Sequence, residues 1–450
     1  MSLPPATHNP DGSSLTARLR VVALGNGCQS VVAYGERMAS VSGLSHLDPS
    51  EAGFSSDRLN RLSSHFGRLV DDGRLAGWHI SVNRDGHNVL DAKYGMADIE
   101  ASRPVADDTI WRIYSMSKPI TAIAALMLWE EGAFELKDPV SNFIPEFADT
   151  KVWRAGSETN PQLEPITEVM QLWHLFTHTA GLTYGFMFAH PVDAIYRRSG
   201  MEWGWPKGKN LEEVCQHLAS LPLVFQPGTE WNYSTSIDVL GRVVEVASGM
   251  RLRDFLQQRI FDPLGMTDTE WFVPENKVDR LAGLYGKLPG VDKAVRLGTA
   301  GQGALIEPPG EFGGGGLVST MADYVKFAEF LRRGGESNGT HLLSPRTIEY
   351  MASNHLPNNA DLTDFGRPLA SETAYDGVGF GLGVSVTIDP VKAKVPGSVG
   401  DYGWGGAAST WFMVDPVEDI TAVFMTQLMP SSTYPIRSQF KTLLHQALVD

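Results

Sequence analysis

Ser115 and Lys118 stand three positions apart at the head of an apolar run, and that spacing is the chain's clearest chemical signal. A serine hydroxyl is a poor nucleophile until a base takes its proton. A neutral lysine amine can do so when burial or nearby positive charge lowers its pKa. Residues three apart on a helix share a face. Pro119 fits the first helical turn, where its missing N–H costs nothing, and Ile120 to Trp129 continue as an apolar helical segment. Ser115 then falls at or just before the helix start, beside unpaired N–H groups and the positive end of the macrodipole. A second match, Ser438 to Lys441, lies midway along an amphipathic terminal segment without a Pro and reads as a solvated face. About one chance match is expected in a chain this long.

Two other stretches carry usable groups. Tyr233 lies in Trp231-Asn232-Tyr233-Ser234-Thr235, after the turn signal Gln226-Pro227-Gly228 and before a helix. Projected into a cleft, its phenol would pass protons between a lysine and a serine. Tyr402-Gly403-Trp404-Gly405-Gly406-Ala407 precedes a predicted strand over Ala407 to Val414. Its small residues let backbone approach a bound carbonyl, so that a strand N–H can serve as an oxyanion donor.

Elements must position these groups. Phe54, Leu59, Leu62, Phe66 and Leu69 recur at helical spacing after a Ser55-Ser56 cap. Trp78 to Asn83 and Asn88 to Tyr94 read as strands joined by an Asp85-Gly86 turn. From Leu136 to Leu284 the pattern is mostly helical, with segments at Leu172 to Phe176, Leu211 to Leu218, Val239 to Ala247 and Leu252 to Ile260. Tyr184 to Trp205 is rich in aromatics and Met, either the wall of an acyl pocket or helical-region core. Gly313 to Gly316 lack the Lys-Ser or Lys-Thr ending of a phosphate loop and read as a tight turn before a helix capped by Ser319 or Thr320. Val378 to Ile388 reads as an alternating strand with Gly377, Gly379, Gly381 and Gly383 on one bare face. Ile420 to Thr426 follows as a strand and Ser438 to Leu448 as a closing helix. Sheet elements at both ends with helices between predict an α/β domain, 48–135 with 290–450, interrupted by an all-α domain, 136–289, after an extension, 1–47.

Composition narrows the partners. The chain has 450 residues, 42% hydrophobic and 20% charged, and a net charge of −15 without a basic run. That disfavours nucleic acid and anionic membrane surfaces. No stretch approaches the roughly 18 continuous apolar residues of a membrane span. Cys28 and Cys215 make neither a disulfide framework nor a zinc cluster. Arg18 and Arg20 before Val21 to Leu24 outline a faint signal-peptide pattern that Gly25-Asn26-Gly27 breaks, so the expectation is an unprocessed or disordered extension and a cytoplasmic protein, with a secreted or periplasmic one as the alternative.

Taken together, the Ser115, Tyr233 and Trp404 motifs resemble those of the family VIII carboxylesterases, which are similar in fold to class C β-lactamases and penicillin-binding proteins. Leu175 to Leu182 and Gly315 to Thr320 also resemble stretches of that family, and the likeness runs over roughly residues 48–450. It implies a β-lactamase-like fold, an antiparallel sheet flanked by helices with the inserted helical domain. It implies Ser115 as nucleophile, Lys118 as base, Tyr233 sharing acid and base duty, and an oxyanion hole from the Ser115 and Ala407 N–H groups. Trp404 would take the place of the Lys in the β-lactamase Lys-Thr-Gly motif, with Gly405 and Gly406 beside it at the substrate. The chain has no Lys-Thr-Gly, and Thr235 stands where the usual Tyr-x-Asn has Asn, so an uncharged apolar ester is expected rather than efficient lactam recognition.

Rivals are weaker. His174 and His178 have a zinc-binding spacing but lack the Glu of H-E-x-x-H, so no metal is expected. No G-x-S-x-G occurs, which removes the α/β-hydrolase elbow. A non-catalytic penicillin-binding-like sensor would have no need of the full Ser115, Lys118 and Tyr233 set. The expectation is a cofactor-free serine hydrolase acting on small, short-chain carboxylic esters through an acyl-enzyme. Cephalosporin hydrolysis would be a side activity, and a transesterase, a β-lactamase or a DD-peptidase an alternative. The oligomeric state is not specified.

Overall fold

The computed structural model describes residues 43–202, 206, 208–367 and 375–450. Ser55 caps the first helix, α1 (Ser56–Asp71), by accepting from the Arg58 N–H at 3.4 Å. Its apolar stripe, Leu59, Leu62, Phe66 and Leu69, is buried, as the helical spacing requires. Strands β1 (Gly77–Arg84) and β2 (His87–Asp98) follow. Asp85 and Gly86 both have positive φ, 51° and 73°, the backbone that a two-residue hairpin turn demands. Strand β2 runs four residues past the predicted end and pairs with β3 (Arg103–Pro104).

Helix α2 (Ser117–Glu130) is buried at every position from Ser117 to Leu128. A helix that is apolar all round can only be a core helix. Further on lie α3 (Ser236–Ser248) and α4 (Met321–Arg332), the latter capped by Thr320, whose hydroxyl accepts from the Asp323 N–H. The chain then returns to the sheet through β4 (Val378–Phe380), β5 (Ser385–Thr387), β6 (Tyr402–Gly405), β7 (Trp411–Asp415) and β8 (Ile420–Met425), and ends on α5 (Ile436–His445).

These eight strands form one antiparallel sheet in the order β4-β5-β6-β7-β8-β1-β2-β3. The first and last strand groups meet where Ile80 of β1 faces Phe424 of β8. Alternation sends Phe424 to one face, where Phe66 of α1 and Phe440 of α5 cover it, and Val423 to the other, with α2 and α4. The β-lactamase-like fold expected from sequence is therefore present.

Three local expectations are corrected. Val378 to Ile388 is a hairpin, not one strand. The Gly381 N–H donates to the Val384 carbonyl and Gly383 sits at φ 89°, so the backbone reverses while the polar-apolar alternation carries on. Tyr402 to Gly405 is itself a strand, and Ala407 lies in the turn before β7 rather than inside a strand starting at 407. The segment 136–289 is not all-α. It contains a hairpin, Lys151–Ser157 with Asn160–Pro165, and a strand at Tyr285–Lys287. The first of these is largely exposed, so no hydrophobic period marked it. Among the described residues no helix is long and apolar enough to cross a membrane.

Candidate active site

Tyr114 to Met116 form a short 3-10 turn that runs into α2. Tyr114 adopts φ 44°, a left-handed backbone that is strained for a bulky side chain and that recurs at functional sites. It presents Ser115 at the mouth of α2, as the Pro119 position anticipated. Lys118, one helical turn on, is 1% exposed. Its Nζ lies 3.2 Å from the Ser115 Oγ and also donates to the Gly314 carbonyl. With a neutral amine the first bond reverses, and the serine O–H donates to Nζ.

Two phenol rings complete the lysine's surroundings. Nζ stands 4.6 Å from the Tyr233 ring centroid and 5.4 Å from that of Tyr184. Aromatic faces attract a cation, and these two line the Lys118 amine. No carboxylate among the described residues ion-pairs with Lys118. The second Ser-x-x-Lys match behaves differently: Ser438 Oγ donates to the Pro435 carbonyl, and Lys441 is ion-paired with Asp401 at 2.7 Å. That lysine is part-buried rather than solvated, and its paired ammonium is unsuited to base duty.

Trp404 reaches Tyr233. Its indole N–H donates to the Tyr233 hydroxyl at 3.3 Å, and the ring centroids are 5.4 Å apart. Strand alternation puts Gly405 on the opposite side of β6, where it leaves room for the Arg437 guanidinium of α5. Its missing side chain thus serves packing rather than the Trp404 side. Gly406 packs so tightly on Ile113 that a Cβ would collide with the Ile113 carbonyl. That close approach brings the Ala407 turn beside the Ser115 turn. Neither the Ser115 nor the Ala407 N–H has a backbone acceptor outside helices and strands among the described residues.

The aromatic stretch divides. Tyr184 stacks on Phe186 at 4.7 Å and lies 5.5 Å from Tyr233, so it lines the candidate site. Met201 is buried core and Phe188 is exposed, whereas Trp203 and Trp205 fall outside the described residues. His178 lies behind Tyr233, ring centroids 4.9 Å apart, with Nδ1 on the Ser234 hydroxyl at 3.1 Å. Burial first, and the Lys118 charge second, hold its pKa well below the usual imidazole value. His174 caps its own helix, its Nδ1 accepting from the Gln171 N–H, and burial lowers it to about 4. Thr235, in place of an Asn, is buried with an unpartnered hydroxyl.

Asp238 is the residue that spacing did not single out. It is fully buried in the first turn of α3, and its Oδ1 accepts the Gly314 N–H at 2.8 Å. Burial pushes its carboxyl up to about 7, against the pull of Lys118 and of N–H donors. The available signal was one acid inside the apolar run Ile237 to Leu240, which reads equally as a helix-dipole residue. His79, Asp91 and Asp107 form the one metal-compatible cluster among the described residues, on β1, β2 and a nearby loop. Lys93 already pairs with Asp107 there.

A part-exposed serine on a buried lysine beside a tyrosine, on an antiparallel sheet flanked by helices, is the arrangement of the serine β-lactamase-like class of enzymes. The chain belongs to the beta-lactamase family, whose model matches residues 62–445. Protein Rv1367c of Mycobacterium tuberculosis (strain ATCC 25618 / H37Rv) is 34% identical over 80% of this chain and 88% of its own length. Esterase EstB of Burkholderia gladioli is 31% identical over 84% of this chain and 93% of its own. The structure of EstCE1, described as a hydrolase with promiscuous acyltransferase activity, superimposes with a TM-score of 0.71 at 27% identity, covering 88% of this chain and 98% of that one. The resemblance to family VIII esterases stands, and the protein is a hydrolase or acyltransferase of the β-lactamase superfamily.

Proposed function

We propose that the protein is a serine carboxylesterase for short-chain esters, with Ser115 as nucleophile, Lys118 as its base and Tyr233 as a proton carrier. The observation that carries this is the 3.2 Å contact between the Lys118 Nζ and the Ser115 Oγ in a site where the lysine is buried. Ser115 Oγ attacks the ester carbonyl carbon as its proton passes to the Lys118 amine. The carbonyl oxygen takes the charge and is held by the Ser115 and Ala407 N–H groups. Collapse breaks the acyl–alkoxy bond. The leaving alkoxide takes a proton from Lys118, directly or through the Tyr233 hydroxyl, and departs as alcohol. Water then attacks the acyl-enzyme by the same steps, returning Ser115 and releasing the acid.

Trp404 and Tyr184 give the site aromatic walls, and among the described residues Lys118 is the cation beside them, which favours an uncharged acyl group and makes a β-lactam carboxylate a poor guest. A second reading replaces water by an alcohol acceptor, favoured by the promiscuous acyltransferase activity of the similar EstCE1. The test is hydrolysis of p-nitrophenyl esters of rising chain length beside a chromogenic cephalosporin, with and without an added alcohol. Ester turnover that dominates and disappears in Ser115→Ala supports esterase action. Lactam turnover alone, or ester turnover retained in Ser115→Ala, refutes it.

A further inference from the structure

We propose that Asp238 is a positioning residue for the catalytic pair: it fixes the Gly314 peptide that holds the Lys118 amine, and its charge resists loss of the lysine's proton. The inference builds on the assignment of Lys118 as base.

One peptide links the two side chains. The Gly314 N–H donates to Asp238 Oδ1 at 2.8 Å, and the carbonyl of the same residue accepts from the Lys118 Nζ. The second carboxylate oxygen, Oδ2, is buried and has no hydrogen-bond partner. A Cβ on Gly314 would collide with that oxygen, so the carboxylate lies directly against the glycine backbone. A half-satisfied buried acid is destabilising. Packing alone would be served by an uncharged residue.

The groups facing this carboxylate come from several elements. Lys118 arrives on α2, Tyr184 on its loop and Cys215 on the helix Leu211–Ala219, while Tyr233, just before α3, faces Tyr184. His178 faces Lys118 from the far side. Burial first, then Asp238 and Tyr233, raise Tyr184 well above its usual value. Lys118 is the cation that acts on Asp238, whereas Arg242, one turn on along α3, acts on Cys215 and pairs with Glu212 and Glu245. An ionised Asp238 favours the ammonium form of Lys118. Removing the carboxylate charge frees the amine at lower pH.

The experiment uses the full chain and a p-nitrophenyl phosphonate ester. Ser115 Oγ forms the P–O bond, p-nitrophenolate leaves, and the serine proton passes to Lys118. Labelling rate is followed against pH for wild type, Asp238→Asn, Asp238→Ser and Asp238→Glu. Both uncharged variants keep an acceptor for the Gly314 N–H, and one folded variant of the two suffices. The acid limb is expected to move down by about half a pH unit or more in the uncharged variants, as removal of a nearby buried charge requires. It should stay near the wild-type position in Asp238→Glu. A rate lowered equally at all pH values with an unmoved limb overturns the inference, as does failure of both uncharged variants to fold. Wild type that is neither phosphonylated nor active on esters refutes the Ser115–Lys118 assignment itself. Labelled wild type with an unmoved variant limb refutes only the role of Asp238.

Discussion

The indole N–H of Trp404 points at the hydroxyl of Tyr233 across 3.3 Å, which makes the tryptophan a hydrogen-bond donor as well as an apolar wall. A donor on a phenolic oxygen favours the phenolate and fixes the ring. Trp404→Phe keeps an aromatic body and removes the donor. It is expected to lower kcat/KM by about 10- to 100-fold, the effect of losing one hydrogen bond to a charged group. In a Tyr233→Phe background the same substitution should have almost no further effect. Additive losses in this double-mutant cycle would show that the two residues act separately.

Ser115→Ala should lower ester hydrolysis by about 10⁴-fold or more, since a nucleophile acting as part of a unit is lost entirely. Ser438→Ala should leave turnover within about twofold of wild type, because that hydroxyl donates to the carbonyl of Pro435, the residue just before its own helix. Steady-state assays of both purified variants, with circular dichroism to verify folding, check the pair. Comparable losses in the two would remove the assignment of Ser115.

Acyl chains of about two to six carbons should be preferred if the aromatic side chains close around the acyl group rather than leave an open apolar groove. Tyr184, Phe186, Tyr233 and Trp404 supply that wall. Replacing Tyr184 by Ala should extend the tolerated chain length. A maximum on palmitoyl esters in wild type would contradict the closed pocket.

The parts that sequence made legible are the local ones. Ser115, Lys118 and Pro119 lie within one turn, so spacing alone placed them at a helix start. Asp85-Gly86 named its hairpin because the turn needs positive φ at both positions. Asp238 was not legible, since its meaning depends on Gly314, 76 positions away. The turn at Ala407 was misplaced because Gly405 and Gly406 lack side chains to mark where pairing stops. The reversal near Gly383 was hidden for a related reason: the bare glycine face continued through the turn. That glycine face is nonetheless a site of close approach. The Cβ of Ala122 on α2 leaves no room for a side chain at Gly383.

Asp238 also sets a stability test independent of turnover. Burial raises its carboxyl from 3.8 to about 7 in the fold. Between those values the folded chain keeps a proton that the unfolded chain releases, so this group's contribution is most favourable below about pH 4 and declines as pH rises to about 7. At about 1.4 kcal/mol per unit, the decline has a ceiling of about 4 kcal/mol. Asp238→Asn does not titrate. Its unfolding free energy relative to wild type should therefore rise with pH across that window and level off above it. His174 and His178, lowered by burial, act in the opposite direction but are common to both proteins and cancel in the difference. Urea unfolding at intervals from pH 4 to 8 measures it. A constant difference would mean that Asp238 is ionised throughout.

The pH dependence of catalysis separates an amine base from an imidazole. A lysine in water titrates near about pH 10.4, far above the roughly pH 6 to 7 acid limb of a histidine-based triad. His178 is the imidazole closest to the site, yet its ring is packed against Tyr233, Trp231 and Phe380, with one nitrogen on the Ser234 hydroxyl. Burial holds it neutral well below its ordinary range, so it has no proton to lose as the medium becomes alkaline. Activity should rise through neutrality and be best in mild alkali. His178→Asn should keep that profile while lowering stability, because it disturbs a packed aromatic cluster. Lys118→Ala should lower kcat/KM by several orders of magnitude and abolish the limb, and Tyr233→Phe should lower the rate while the limb set by Lys118 persists. Profiles of kcat/KM for the four proteins decide the matter. A Lys118→Ala enzyme with the wild-type rate and limb would exclude lysine as the base and make His178 the next candidate.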